Sequence, residues 1–109
     1  MSNKPTGAKS MTVFRSRLNE SARAEYTEMV QRMVALAKTL PGFLSIKTFT
    51  ADDGERVSLV EFATDADEQG WAHNPEHGKA MDKGRSSFFS EYNIKVCAVQ
   101  RELTPQGRT

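Results

Sequence analysis

WAHNPEH, residues 71 to 77, gathers the only Trp and both His of this 109-residue chain into seven positions, broken by Asn74-Pro75. An imidazole near its ordinary pKa of about 6.5 can take up or release a proton at neutral pH, and an adjacent indole can wall a flat guest. The chemistry such a pair supports is proton transfer to or from an aromatic ligand. His73 and His77 would reach one metal ion only from a continuous helix, and Pro75 breaks that continuity. No carboxylate or thiol stands at a ligand spacing either, so neither a metal nor any other cofactor is expected. The simplest role of Asn74-Pro75 is to start a helix, with Asn74 as cap and Pro75 in the first turn.

Along a helix from Pro75 to Ser90, steps of 100° set His77, Ala80, Met81, Gly84 and Phe88 on one stripe, with Arg85 at its edge. The ring of His77 should therefore point inward. Gly84 on that stripe allows close backbone packing or room for a ligand, and Trp71 stands where it can wall the same space. The sequence leaves those two outcomes open, as it leaves open whether His77 is a base or a core imidazole. Glu61, in an apolar strand, is read as an ion-paired or hydrogen-bonded charge, with Arg15 and Arg17 on a face of the first strand that could neighbour it, a general base being the alternative. Cys97, alone in a strand, is read as a small inert apolar residue. No phosphate-cradling glycine loop is present.

The elements that must position these groups follow from periodicity and turn chemistry. Residues 1–10 read as a flexible leader and 103–109 as a flexible tail, around one domain over 11–102. Residues 11–18 alternate as a strand, with Thr12, Phe14, Ser16 and Leu18 on one face. Tyr26, Met29, Val30, Met33, Leu36, Ala37 and Leu40 recur on one helical face, capped by Asn19 or Ser21 and stopped by Pro41-Gly42. Strands over 43–50 and 56–63 flank the Asp-Gly turn of ADDGE, the first with Leu44 and Ile46 on one face and Phe43 and Phe49 on the other. Helices over 65–72 and 75–90 and a strand over 92–100 complete the chain. This order predicts an α+β, ferredoxin-like split βαβ fold: a four-stranded antiparallel sheet with helices on one face. The middle strands carry apolar groups on both faces, so the open sheet face is expected to pair with a second copy as a homodimer.

Fifteen basic and fourteen acidic side chains leave a net charge of +1, scattered without a basic stripe, which argues against nucleic acid or anionic lipid as partners. No apolar run is long enough to span a bilayer, the N-terminus lacks the apolar stretch of a secretion signal, and the single Cys cannot close an internal disulfide. A cytoplasmic location is expected.

The element order, the passage LPGFLSIKTF, the segment VSLVEFATDADEQGWAHNPEHGKA and the strand from Tyr92 to Gln100 together resemble the antibiotic biosynthesis monooxygenase family over about residues 11–102. The resemblance implies a dimeric α+β barrel. In the branch that oxidises polyketide hydroxyanthrones without a cofactor, it implies a site at Trp71, with His77 standing where that branch has Tyr, Asp67 where it has Asn, and Arg85 as the nearest match to its arginine. In the heme-degrading branch the same register puts Ser16 and Met81 at the Asn and axial His positions, which disfavours heme. The function so implied is oxidation of an electron-rich dihydroxyaromatic by O2. His77 would act as base, Trp71, Met81 and Phe88 would hold the ring, and Arg85 would balance the anion. A non-catalytic small-molecule-binding or stress-response barrel protein is the competing expectation.

Overall fold

The computed structural model describes residues 8–105. Its order is β1 (Ser10–Leu18), a 3₁₀ turn (Glu20–Ala22), α1 (Arg23–Lys38), β2 (Phe43–Thr50), β3 (Arg56–Phe62), α2 (Asp65–Ala72), α3 (Pro75–Lys83), a π-helical turn (Gly84–Phe88) and β4 (Phe89–Ala98). The strands form one antiparallel sheet in the order β2-β3-β1-β4, the ferredoxin-like arrangement. Among the described residues no helix is long and apolar enough to cross a membrane.

Local chemistry accounts for the boundaries. Helix α1 stops before Pro41, and the chain reverses through Gly42 at φ +79°, a conformation other residues rarely take. Side-chain space is closed there too, because a Cβ on Gly42 would overlap the Asp67 carboxylate. The expected leader divides. Residues 1–7 lie outside the described residues, whereas Ser10 is buried in β1 and the Lys9 carbonyl accepts the Val99 N–H at 2.8 Å. Of the expected tail, 103–105 are exposed and outside any regular element, and 106–109 lie outside the described residues.

Three sequence expectations are corrected. The last helix does not run to Ser90: its α-helical part ends at Lys83, and a wider turn then delivers both Phe88 and Phe89 into the core, with the Phe89 N–H donating to the Gly84 carbonyl. Strand β4 accordingly starts at Phe89 rather than Tyr92. In β2 a bulge between Phe43 and Ser45 shifts the register, so Phe43 opposes Phe62 and Ile46 opposes Val60 on the same, helix-covered face, while Leu44 is 45% exposed. Glu61 is a hydrogen-bonded charge, as one reading expected, but Arg15 and Arg17 are not its neighbours. The antiparallel register sets Glu61 opposite Met11, at the far end of β1 from both arginines. Arg15 instead makes two 2.9 Å hydrogen bonds to Glu55, Arg17 reaches Asp53 at 2.8 Å, and Glu61 accepts from the Ser45 hydroxyl.

The space between helices and sheet holds two separate apolar clusters. Ala22, Tyr26, Phe88 and Phe89 form one, with Phe14 meeting Phe89 edge to face at 5.3 Å. Ala37, Val60, Phe62 and Trp71 form the other. Native cores are normally continuous at near-crystalline density. Here a cavity, bordered by members of both clusters, interrupts them.

Candidate functional site

The segment 71–77 serves both to start a helix and to build a site. Asn74 caps α3, its Oδ1 accepting from the backbone N–H of Glu76 at 2.9 Å and of His77 at 3.2 Å, with Pro75 in the first turn. The cap fixes the backbone of His77, and the side chain then folds back over α2. Its ring stacks on the Trp71 indole, with centroids 3.7 Å apart and planes 18° from parallel. Its Nδ1 lies 3.0 Å from the Trp71 carbonyl oxygen. A carbonyl can only accept, so Nδ1 carries the proton, and in the neutral ring Nε2 presents its lone pair. No side chain or backbone group among the described residues bonds that second nitrogen. Burial pushes the His77 pKa below its usual value, and the bond to the Trp71 carbonyl only partly opposes this. The imidazole is therefore neutral at physiological pH and able to accept a proton.

His77 and Trp71 border the cavity, whose volume is about 390 Å³, within the range of small-molecule sites. Its floor is the sheet, with Thr12, Phe14, Ile46, Ser58 and Val60. Its roof is α1, with Tyr26, Met29, Val30, Met33 and Val34, and its end wall is α2 and α3. On the edge strand Ile94 and Val96, 42% and 51% exposed, border it as well. The lining is mostly apolar and aromatic, with a few polar groups: Thr48 and Ser58, whose hydroxyls bond each other at 2.7 Å, the Thr12 hydroxyl, Glu68, and the Asp82–Arg85 ion pair.

Of the residues expected from sequence, the structure brings Trp71, His77, Met81 and Arg85 together around this cavity. Ser16, Asp67 and Phe88 do not border it. Ser16 is buried on the same sheet face as Thr12 but further along β1, between Arg56 and Tyr92. Asp67 faces the turn at Gly42 from the other side of α2. The π-helical turn carries Phe88 into the cluster around Tyr26, with the rings edge to face at 6.0 Å. Gly84, which left packing or a void open, is settled as packing: a Cβ there would lie 2.5 Å from the Phe89 ring. His73 is exposed. Glu68 and the hydroxyls of Thr12, Thr48 and Ser58 were not singled out from sequence. Glu68 had a readable signal, since it sits three residues before Trp71 and so shares its helical face.

The antibiotic biosynthesis monooxygenase family model matches residues 10–83, which include three of the strands bordering the cavity, β1, β2 and β3, and helices α1, α2 and α3. The chain belongs to the antibiotic biosynthesis monooxygenase family. A relative from Bacillus subtilis, the uncharacterized protein YqjZ, is 33% identical over 84 residues, covering 77% of this chain and 74% of that protein. Among solved structures of the same fold, Rv0793 from Mycobacterium tuberculosis superposes with a TM-score of 0.78 at 14% identity, covering 89% of this chain and all of that one. SnoaB from Streptomyces nogalater, a cofactor-independent oxygenase, was solved as its N63A mutant and gives 0.76 at 15% identity, with 90% and 99% covered. At those identities the structural likeness establishes the fold that this family member shares with them.

Proposed function

We propose that this family member is a monooxygenase that needs no bound cofactor and oxidises an electron-rich hydroxyaromatic molecule with O2. The observation that carries the reading is the His77–Trp71 pair: a neutral imidazole with its Nε2 lone pair unused, stacked on the indole that walls an apolar cavity. His77 takes the phenolic proton at Nε2 as general base. The resulting carbanion-like phenolate gives electrons to O2, which inserts one oxygen at the activated carbon. The second oxygen leaves as water with the hydrogen that carbon loses and the phenolic proton returned from His77, so the substrate is its own reductant. Met81 and Trp71 hold the flat ring, and Arg85, kept at the cavity by Asp82, offsets the anionic charge. The cofactor-independent oxygenase among the structures of the same fold supports this choice of chemistry.

Oxygen uptake with an anthrone or a hydroquinone as substrate, followed by mass analysis of products made under ¹⁸O₂, tests the proposal. One labelled oxygen per product is expected. An anthrone that binds, raises the melting temperature and returns unchanged under oxygen would make the protein a binding module and remove the reaction.

The outer face of the sheet supports a homodimer. Met11, Val13, Val57 and Leu59 lie there half-buried, beside Phe49, which is 49% exposed. Contiguous apolar groups on an open sheet call for cover. Light scattering at micromolar concentration should give twice the mass of one chain, and a monomer would remove the dimer.

A further inference from the structure

Glu68 is 5% exposed, borders the cavity, and forms no side-chain hydrogen bond or ion pair among the described residues. Its backbone N–H donates to the Thr64 carbonyl at 3.1 Å. A ligand that fills the cavity displaces water from this carboxylate, and leaving it without a partner is then costly. The Thr12 hydroxyl on the cavity floor is fully buried and has no partner among the described residues. Two polar residues without a side-chain partner among the described residues thus border the same hollow, one from a helix and one from the sheet. On α2, Glu68 and Trp71 are three residues apart on one face, and both border the cavity. Burial pushes the Glu68 pKa upward, Asp65 adds to this, and His73 opposes it. Those two neighbours bias its charge without bonding it.

We infer that Glu68 is a specificity-determining residue: its carboxylate accepts a hydrogen bond from a second hydroxyl of the ligand, apart from the one His77 deprotonates, and turns away anionic aromatics. This rests on the small-aromatic reading of the cavity. It narrows the substrate class to uncharged aromatics with two separated hydroxyl groups. Capping the second hydroxyl with a methyl group leaves the carboxylate buried and unpaired, which costs more than the hydrogen bond itself is worth. An arene carboxylate sets two negative charges together in an apolar space.

Anaerobic calorimetric titration with three probes tests this apart from turnover: a dihydroxynaphthalene, its monomethyl ether, and the corresponding hydroxynaphthoate. Wild-type protein should prefer the diol over the ether by about tenfold or more, and bind the naphthoate weakest of all. Glu68→Gln keeps the shape and offers an amide N–H₂. It should shrink the diol preference to within about threefold and tighten naphthoate binding by about tenfold. Gained affinity for an anion is a result that loss of structure cannot produce. Equal wild-type affinity for the three probes, or binding of none of them, overturns the inference without recourse to any variant. So does a Glu68→Gln protein with the wild-type order. Oxygen uptake, read separately, distinguishes the two proposals: turnover without discrimination removes the role of Glu68 and keeps the reaction, and discrimination without turnover does the reverse.

Discussion

The two nitrogens of His77 have different jobs, and two amide substitutions separate them. In His77→Asn the side-chain N–H₂ falls close to the position of Nδ1 and can still donate to the Trp71 carbonyl, 3.0 Å away in the wild type, but nothing remains at Nε2 to take a proton. In His77→Gln an amide occupies the Nε2 position and the bond to Trp71 is lost. The structural cost of the first change is the ring stacking, about 0.5–1.5 kcal/mol. The second adds the hydrogen bond, about 1 kcal/mol more. With a melting temperature that shifts by roughly 4–8 °C per kcal/mol in a domain of this size, both proteins should remain folded at 25 °C, the Gln form the less stable. Loss of a general base costs about a hundredfold or more in rate. Both variants should therefore lose kcat/KM to that extent on an anthrone, measured by oxygen uptake, despite unequal stabilities. The wild-type profile of kcat/KM should fall on the acid side with a midpoint below about 6.5, the direction in which burial moves the His77 pKa, and His77→Asn should lose that limb. A His77→Asn protein within threefold of wild type, or one keeping the same acid limb, refutes the assignment of Nε2 as the base.

Asn74→Ala removes the cap of α3 and should cost about 1 kcal/mol in urea unfolding; because Oδ1 also holds the His77 N–H, kcat should fall more than the small stability change implies. Gly84→Ala places a methyl 2.5 Å from the Phe89 ring and should destabilise by about 1–3 kcal/mol in the same assay. Acid should weaken the fold through His77: its folded pKa lies below the unfolded value near 6.5, so the unfolded chain binds more protons, and stability present above pH ~6.5 is lost as pH falls toward the folded pKa. Denaturant midpoints measured from pH 7.5 down to 5 should show that decline, and the decline attributable to His77 should be absent in His77→Gln.

Much of the fold was legible because the decisive signals are local. Asn74-Pro75 and Pro41-Gly42 set helix ends by backbone chemistry that tertiary context seldom overrides, and the alternation of Thr12, Phe14, Ser16 and Leu18 reports one sheet face directly. What escaped depends on registers that slip by one residue. The β2 bulge brings Phe43 and Ile46 to one face against strict alternation, and the π-helical turn after Lys83 moves Phe88 off the stripe on which a regular helix would place it. The site follows the same division. Met81 lies in the regular part of α3 and Arg85 just past its end, and both reach the cavity as their spacing implies, whereas Phe88, at the far end of the irregular turn, does not. Asp67 was chosen by correspondence with a relative's position, and one residue further along α2 the helix turns Glu68 inward in its place. The hydroxyls of Thr12, Thr48 and Ser58 carry no sequence signature that separates a cavity floor from ordinary strand residues.

The stacked rings give the protein its own optical gauge. Trp71 is the only indole in the chain, so all tryptophan emission comes from one wall of the cavity. An imidazolium lying face to face with an excited indole at 3.7 Å drains its emission far more effectively than the neutral ring does. Brightness on acidification therefore reports the charge of one particular imidazole, in an unlabelled sample, with or without a guest between the layers.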